Sequence, residues 1–153
     1  MSGTLQLITS NVRTNMTKLI TLVDAVCKLD DEQRFGLDIS YQLIEGEVDV
    51  AEVSITDREE LPIFLTFADD QILCICYLWS EDEVRPETRT EMMEIMLDMN
   101  VPMPLSSFAK IENKYVVFGA MSLNSSTEDV ALEISTLSEN AIDAITTMKD
   151  YLK

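Results

Sequence analysis

"LPIFLTFADDQILCICYLW", residues 61 to 79, decides how this chain folds. Two runs rich in β-branched and aromatic residues, 61–67 and 72–79, flank the short polar connection "ADDQ", and that pattern predicts a β-hairpin. Pro62 stands at the start of its strand, where a missing N–H is tolerated. Upstream, "VDVAEVSI" (48–55) alternates first through Val48 and Val50. Val53 and Ile55 then continue on the other parity, which predicts a bulge near Ala51. "GLDISYQL" (36–43) alternates through Leu37, Ile39 and Tyr41, and Gly46 interrupts after it. The stretch from Phe35 to Trp79 is therefore expected to be an antiparallel meander of three or four strands.

Helical periods bracket this meander. Val12, Met16, Leu19, Val23 and Val26 recur in steps of three and four, predicting a helix over 10–30 with Ser10 or Asn11 as its cap. Residues 1–9 read as a loose arm. "RPETRTEMMEIMLDMN" (85–100) returns to helix, with Pro86 suited to the first turn and Glu87 to the dipole there. Its apolar side is expected to be Met92, Met93, Met96 and Leu97, and "VPMP" (101–104) ends it. "FAKI" and "KYVVFGAMSL" form a second hairpin that turns at Glu112 and Asn113. The last helix is expected over 126–152, capped by Ser125 or Ser126, with Val130, Ile134, Leu137, Ala141, Ile145, Met148 and Leu152 on one face. The expected fold is α+β: an antiparallel sheet of about five strands with helices packed on it, in the order α-β-β-β-α-β-β-α. The 153 residues suit a single domain, 1–153, and the hydrophobic share of 46% suffices for a core.

Cys74 and Cys76 are the most suggestive chemistry. Two apart in a strand, they share a face, with Cα atoms about 6.6–6.8 Å apart against the about 5.5–6 Å usual for a disulfide. Leu78 shares their face, and Ile75, Tyr77 and Trp79 take the other. A zinc site wants about four N, S or O ligands, whereas the chain has no histidine and only Cys27 as a third thiol. Core packing is the expectation. Without histidine, serine and cysteine nucleophiles also lack their commonest base, and no glycine-rich phosphate cradle is present. The chain reads as no enzyme, and no cofactor is expected.

Charge narrows the partners. With 28 acidic and 11 basic residues the formal net charge is −17, which repels nucleic acid and anionic lipid. A basic or amphipathic partner protein suits such a surface, and acidity kept for solubility is the plainer reading. The nine methionines cluster at Met92, Met93, Met96, Met99 and Met103. Flexible thioethers there suit either an adaptable binding surface or an irregular core. Glu128, Asp129 and Glu133 are an alternative site for a hard cation such as calcium or magnesium, although helix capping explains the first two equally well. The N-terminus lacks the order of a signal peptide and no apolar run approaches a membrane span. Three cysteines form no disulfide pattern, so a cytoplasmic location is expected.

Over residues 103–145 the chain resembles the YjfI-like proteins of bacteria, a domain family of unknown function. The matching pieces are "MPLSS" (103–107), "VFGA" (117–120), "SL" (122–123), "SS" (125–126), "ED" (128–129), "LEI" (132–134) and "NA" (140–141). The resemblance implies no catalytic residue. It implies, by gene neighbourhood, a phage-shock-protein-A-like coiled-coil partner. The element order is similar to that of type III secretion chaperones and of the YbjN-like fold, small acidic domains that dimerise and bind other proteins. A non-catalytic, chaperone-like or adaptor-like module, possible as a homodimer, is the resulting expectation, with a small-ligand or cation-binding domain as the alternative. Within the motif, Gly119 in its strand predicts a bulge or a close approach from a neighbouring helix.

Overall fold

The computed structural model describes residues 18–153. The expected arm at 1–9, the cap at Ser10 or Asn11, and Val12 and Met16 lie outside the described residues. Helix α1 occupies 18–27 of them and stops three residues short of the expected end. Its spacing holds, since Leu19, Val23 and Val26 are all buried.

Six strands follow rather than about five. They are β1 (Ile39–Ile44), β2 (Val50–Ile55), β3 (Ile63–Ala68) and β4 (Gln71–Ser80), then β5 (Ser107–Ile111) and β6 (Lys114–Ser122). They make one antiparallel sheet in the order β1-β2-β3-β4-β6-β5. The extra strand is the fourth of the meander. Both expected hairpins form, and the turn residues Asp69 and Glu112 take left-handed backbone (φ 47° and 53°). Asp tolerates that region because its short polar side chain bonds locally.

The register corrects two expectations. No bulge interrupts β2 at Ala51, because Ile39–Ile44 pairs residue for residue with Val50–Ile55. The strand begins at Val50, so Val48 lies outside it, and Ala51, Val53 and Ile55 form the inward face. The irregularity lies instead between Tyr77 and Trp79, opposite β6. A bulge there flips parity. Trp79 therefore turns inward and is buried with Ile72, Cys74 and Cys76, whereas strict alternation put it on the opposite face.

Helices α2 (Arg89–Met99) and α3 (Thr127–Met148) complete the fold. A 3₁₀ turn, Pro86–Thr88, precedes α2 and takes the proline at its first position. Ser126 caps α3, its Oγ accepting from the Asp129 N–H at 3.1 Å. A final 3₁₀ turn, Lys149–Tyr151, follows α3, and Leu152 bridges back to Val84. Val130, Ile134, Leu137, Ala141 and Met148 line the buried side of α3, which packs across β4 and β6. Each fully buried side chain of Leu or Ile size contributes about 1.5–3 kcal/mol against remaining in water. Among the described residues, no helix is long and apolar enough to cross a membrane.

Candidate interaction surface

Cys74 and Cys76 resolve to packing. Both are fully buried and unpaired, inside the apolar cluster between the sheet and α3. Burial pushes the Cys76 thiol up to about 12, and Cys74 higher still, with the carboxyl of Glu133 adding to the effect. Neither forms the thiolate needed for nucleophilic or metal chemistry at neutral pH. Cys27, half-buried, is raised by desolvation first and by Asp24 second.

The methionine cluster divides. Met92 and Met96 are core residues, one helical turn apart on α2. Met93, Met99 and Met103 are half-buried against that core. Leu97, expected on the apolar side of α2, is 68% exposed instead, since the buried stripe of α2 is only the Met92–Met96 line. Leu97 helps wall a cavity of about 160 Å³ with Met93, Met96, Phe108 and Tyr115. Phe108 separates it from a second hollow of about 220 Å³, walled by Met99, Met103, Pro104 and Asp143. Past the end of α2, Val101 (90% exposed) and Leu105 are exposed apolar side chains as well. Asn100 Oδ1 accepts from the Phe108 N–H at 2.6 Å, so the end of α2 covers part of the β5 edge. Covering an edge amide in this way discourages indiscriminate strand pairing.

The rim of this groove is electrostatically one-sided. Glu81, just after β4, binds Lys110 Nζ at 2.8 Å, accepts from Tyr115 Oη at 2.7 Å and pairs with Arg89. The Arg89 hydrogen bond, then Lys110 and Tyr115, hold the Glu81 carboxyl down at about 2. Both nearby cations are thereby committed, while Glu94 and Asp98 on α2 and Asp143 on α3 are exposed. Sequence reasoning missed this network because its members stand up to 34 residues apart.

The expected cation ligands do not converge. Glu128 and Asp129 are exposed in the first turn of α3, and Glu133 is buried on its inner face. No group of three His, Cys, Asp or Glu side chains suited to a metal occurs among the described residues. The inward position of Glu133 was readable in its spacing, three residues after Val130 and four before Leu137. Its surroundings were not. A Cβ placed on Gly119 would lie 1.6 Å from Glu133 Oε1 and 3.1 Å from the Leu105 carbonyl oxygen. Gly119 keeps regular register with Cys74, so of its two expected roles it fills the close approach and not the bulge. Nearby, Asn140 Nδ2 donates to the Pro104 carbonyl at 2.9 Å and to Ser106 Oγ at 3.0 Å. Four separate pieces of the resemblance, 103–107, 117–120, 132–134 and 140–141, thus meet at one place between α3, β6 and the loop before β5.

Residues 19–152 match a family described as an uncharacterized protein conserved in bacteria, DUF2170. The chain belongs to that family. The uncharacterized protein YjfI of Escherichia coli K12 is 31% identical over 103 residues, covering 65% of this chain and 76% of YjfI, in keeping with the resemblance read from the motif. Among solved structures, YbjN of E. coli aligns with a TM-score of 0.54 at 15% identity, over 72% of this chain and 82% of YbjN. An uncharacterized protein from Methanothermobacter thermautotrophicus aligns at 0.56 and 15% identity, over 73% and 88% of the two chains. These likenesses establish a YbjN-like α+β fold and carry no function. A chain of the ExsC–ExsE complex aligns at 0.46 and 12% identity, over 82% and 89%.

Proposed function

We propose that this protein is a non-catalytic interaction module, chaperone-like or adaptor-like, that holds an apolar segment of a partner protein in the groove between α2 and β5. The observation that carries this is the run of exposed Leu97, Val101 and Leu105 beside cavities walled by Met93, Met96, Met99, Met103 and Phe108. Exposed apolar side chains gathered near apolar cavities suit a binding site, and half-buried thioethers adapt to varied side chains. The free acidic rim and the net charge of −17 favour an amphipathic helix with basic residues flanking its apolar face. A phage-shock-protein-A-like coiled-coil protein of the same bacterium is the first candidate, met in the cytoplasm by one domain acting alone or as a homodimer.

The test is titration of the purified chain with that coiled-coil protein and with a synthetic basic amphipathic helix, followed by anisotropy. Binding should be saturable, with an on-rate that falls as salt rises from about 50 to about 500 mM. Leu97→Asp with Val101→Asp should abolish binding while the melting temperature stays put, because both residues are exposed. Equal binding by that variant, or no binding of either probe by the wild type, would overturn the proposal. Light scattering at the monomer mass across micromolar concentrations would remove the homodimer.

A further inference from the structure

Glu133 is only 4% exposed, and its Oε1 has no hydrogen-bond partner. Ionised, the carboxylate would leave that oxygen desolvated with nothing to compensate it. Among the described residues, the groups facing it offer no positive charge. From β6 it meets Gly119, and the Leu105 carbonyl oxygen lies 3.1 Å from the same Gly119 Cβ position, an acceptor that disfavours a carboxylate nearby and favours a neutral acid. From β4 the titratable neighbour is the Cys74 thiol. On α3 itself, Asp129 one turn earlier is also acidic. Arg58, which packs on α3, is bonded to Ser138 Oγ at 2.9 Å and to Glu139 at 2.7 Å.

We infer that Glu133 is a proton-operated latch: as the neutral acid it seats α3 on Gly119 beneath the 104–106 loop, and loss of its proton loosens that loop. The loop is the yielding part. Leu105 holds a left-handed backbone (φ 60°), a conformation unfavourable for a branched side chain. Asn140 tethers the residues on either side of it. The strands and α3, by contrast, are locked by their own ladders. Pro104 and Met103 wall the second hollow, so release would reshape one side of the groove. What that does to partner capture rests on the function proposed above, whereas the latch itself does not.

Burial raises the Glu133 carboxyl above its ordinary value of 4.5. Its contribution to stability is therefore complete below the unfolded value and is lost as pH rises toward the folded one. Glu133→Gln keeps the shape and removes the proton. The ratio of folding constants, wild type over Glu133→Gln, should fall tenfold per pH unit from about pH 4.5 until it levels off. Over the same range, hydrogen-exchange protection of amides 105–108 should drop in the wild type and hold in the variant. Parallel stability curves with unchanged protection would overturn the latch. Should Glu133→Gln not fold, titration of the side-chain carboxyl carbon of Glu133 by NMR in the wild type decides. A midpoint above the ordinary range, moving together with the Leu105 and Ser106 amides, supports the latch, and a midpoint at or below it sinks the idea. The partner titration reads the groove separately, so either conclusion can fail alone.

Discussion

Replacing Gly119 with alanine should destabilise this protein far more than one methyl group suggests. In a strand, Gly→Ala ordinarily gains about 0.5–1 kcal/mol through reduced backbone entropy. Here the new Cβ would fall 1.6 Å from Glu133 Oε1 and 2.8 Å from its Cδ. Glu133 is only 4% exposed, so its carboxyl must swing aside within the packed interior, or α3 must lift or the strand shift. Forcing atoms into a packed core costs about 1–3 kcal/mol, and the carbonyl of Leu105 at 3.1 Å adds a second tight contact. Set against the entropy gain, a net loss of up to about 2.5 kcal/mol is expected, which for a domain of this size lowers Tm by up to about 10 °C. The assay is urea unfolding followed by Trp79 fluorescence, in a double-mutant cycle with Glu133→Ala. Without the carboxyl the same Gly119→Ala change should cost under about 1 kcal/mol, a coupling well beyond the additivity error of about 0.5 kcal/mol. Strictly additive effects would refute the claim that Gly119 exists to receive Glu133.

Three further outcomes follow from the same geometry. Glu81→Gln should flatten the acid limb of the stability curve. The depressed carboxyl contributes fully above pH 4.5 and loses its contribution as pH falls toward about 2, so wild-type and variant melting temperatures should converge over that interval. Ser126→Ala should cost about 1 kcal/mol through loss of the α3 cap, readable as a uniform drop in Tm with no change in the pH profile. Under native conditions a maleimide should label Cys27 first, and Cys74 and Cys76 only on the timescale of global unfolding. Prompt labelling of either buried thiol in peptide mapping would contradict the packing described.

Much of the fold was legible because its signals are local. The hairpin turns at "ADDQ" and at Glu112–Asn113, the Ser126 cap and the three-and-four spacing of α3 each depend on a few consecutive residues and the backbone they favour. The pairing of Cys74 and Cys76 on one buried face followed from the strand period alone. Two residues misled for the same local reason. Val48 shares the parity of Val50 and reads as part of a strand that in fact starts after it, which gives an apparent bulge at Ala51. Leu97 keeps helical spacing with Met93, but nothing in the sequence says which stripe of α2 the sheet covers.

What only the tertiary structure decided is everything set by elements far apart in sequence. The bulge between Tyr77 and Trp79 is a property of β4 against β6, and it alone turns the tryptophan inward. Glu81 acquires its low pKa from residues on α2, β5 and β6. Glu133 has the sequence neighbours of a core position and the chemistry of a surface residue, and only the approach of Gly119 and Leu105 shows that the core prevailed. The sequence determined which segments are helix and strand, since those choices are paid within a turn or a hairpin. Which faces stay open, and which charges are stranded without a partner, depended on how the layers close over one another.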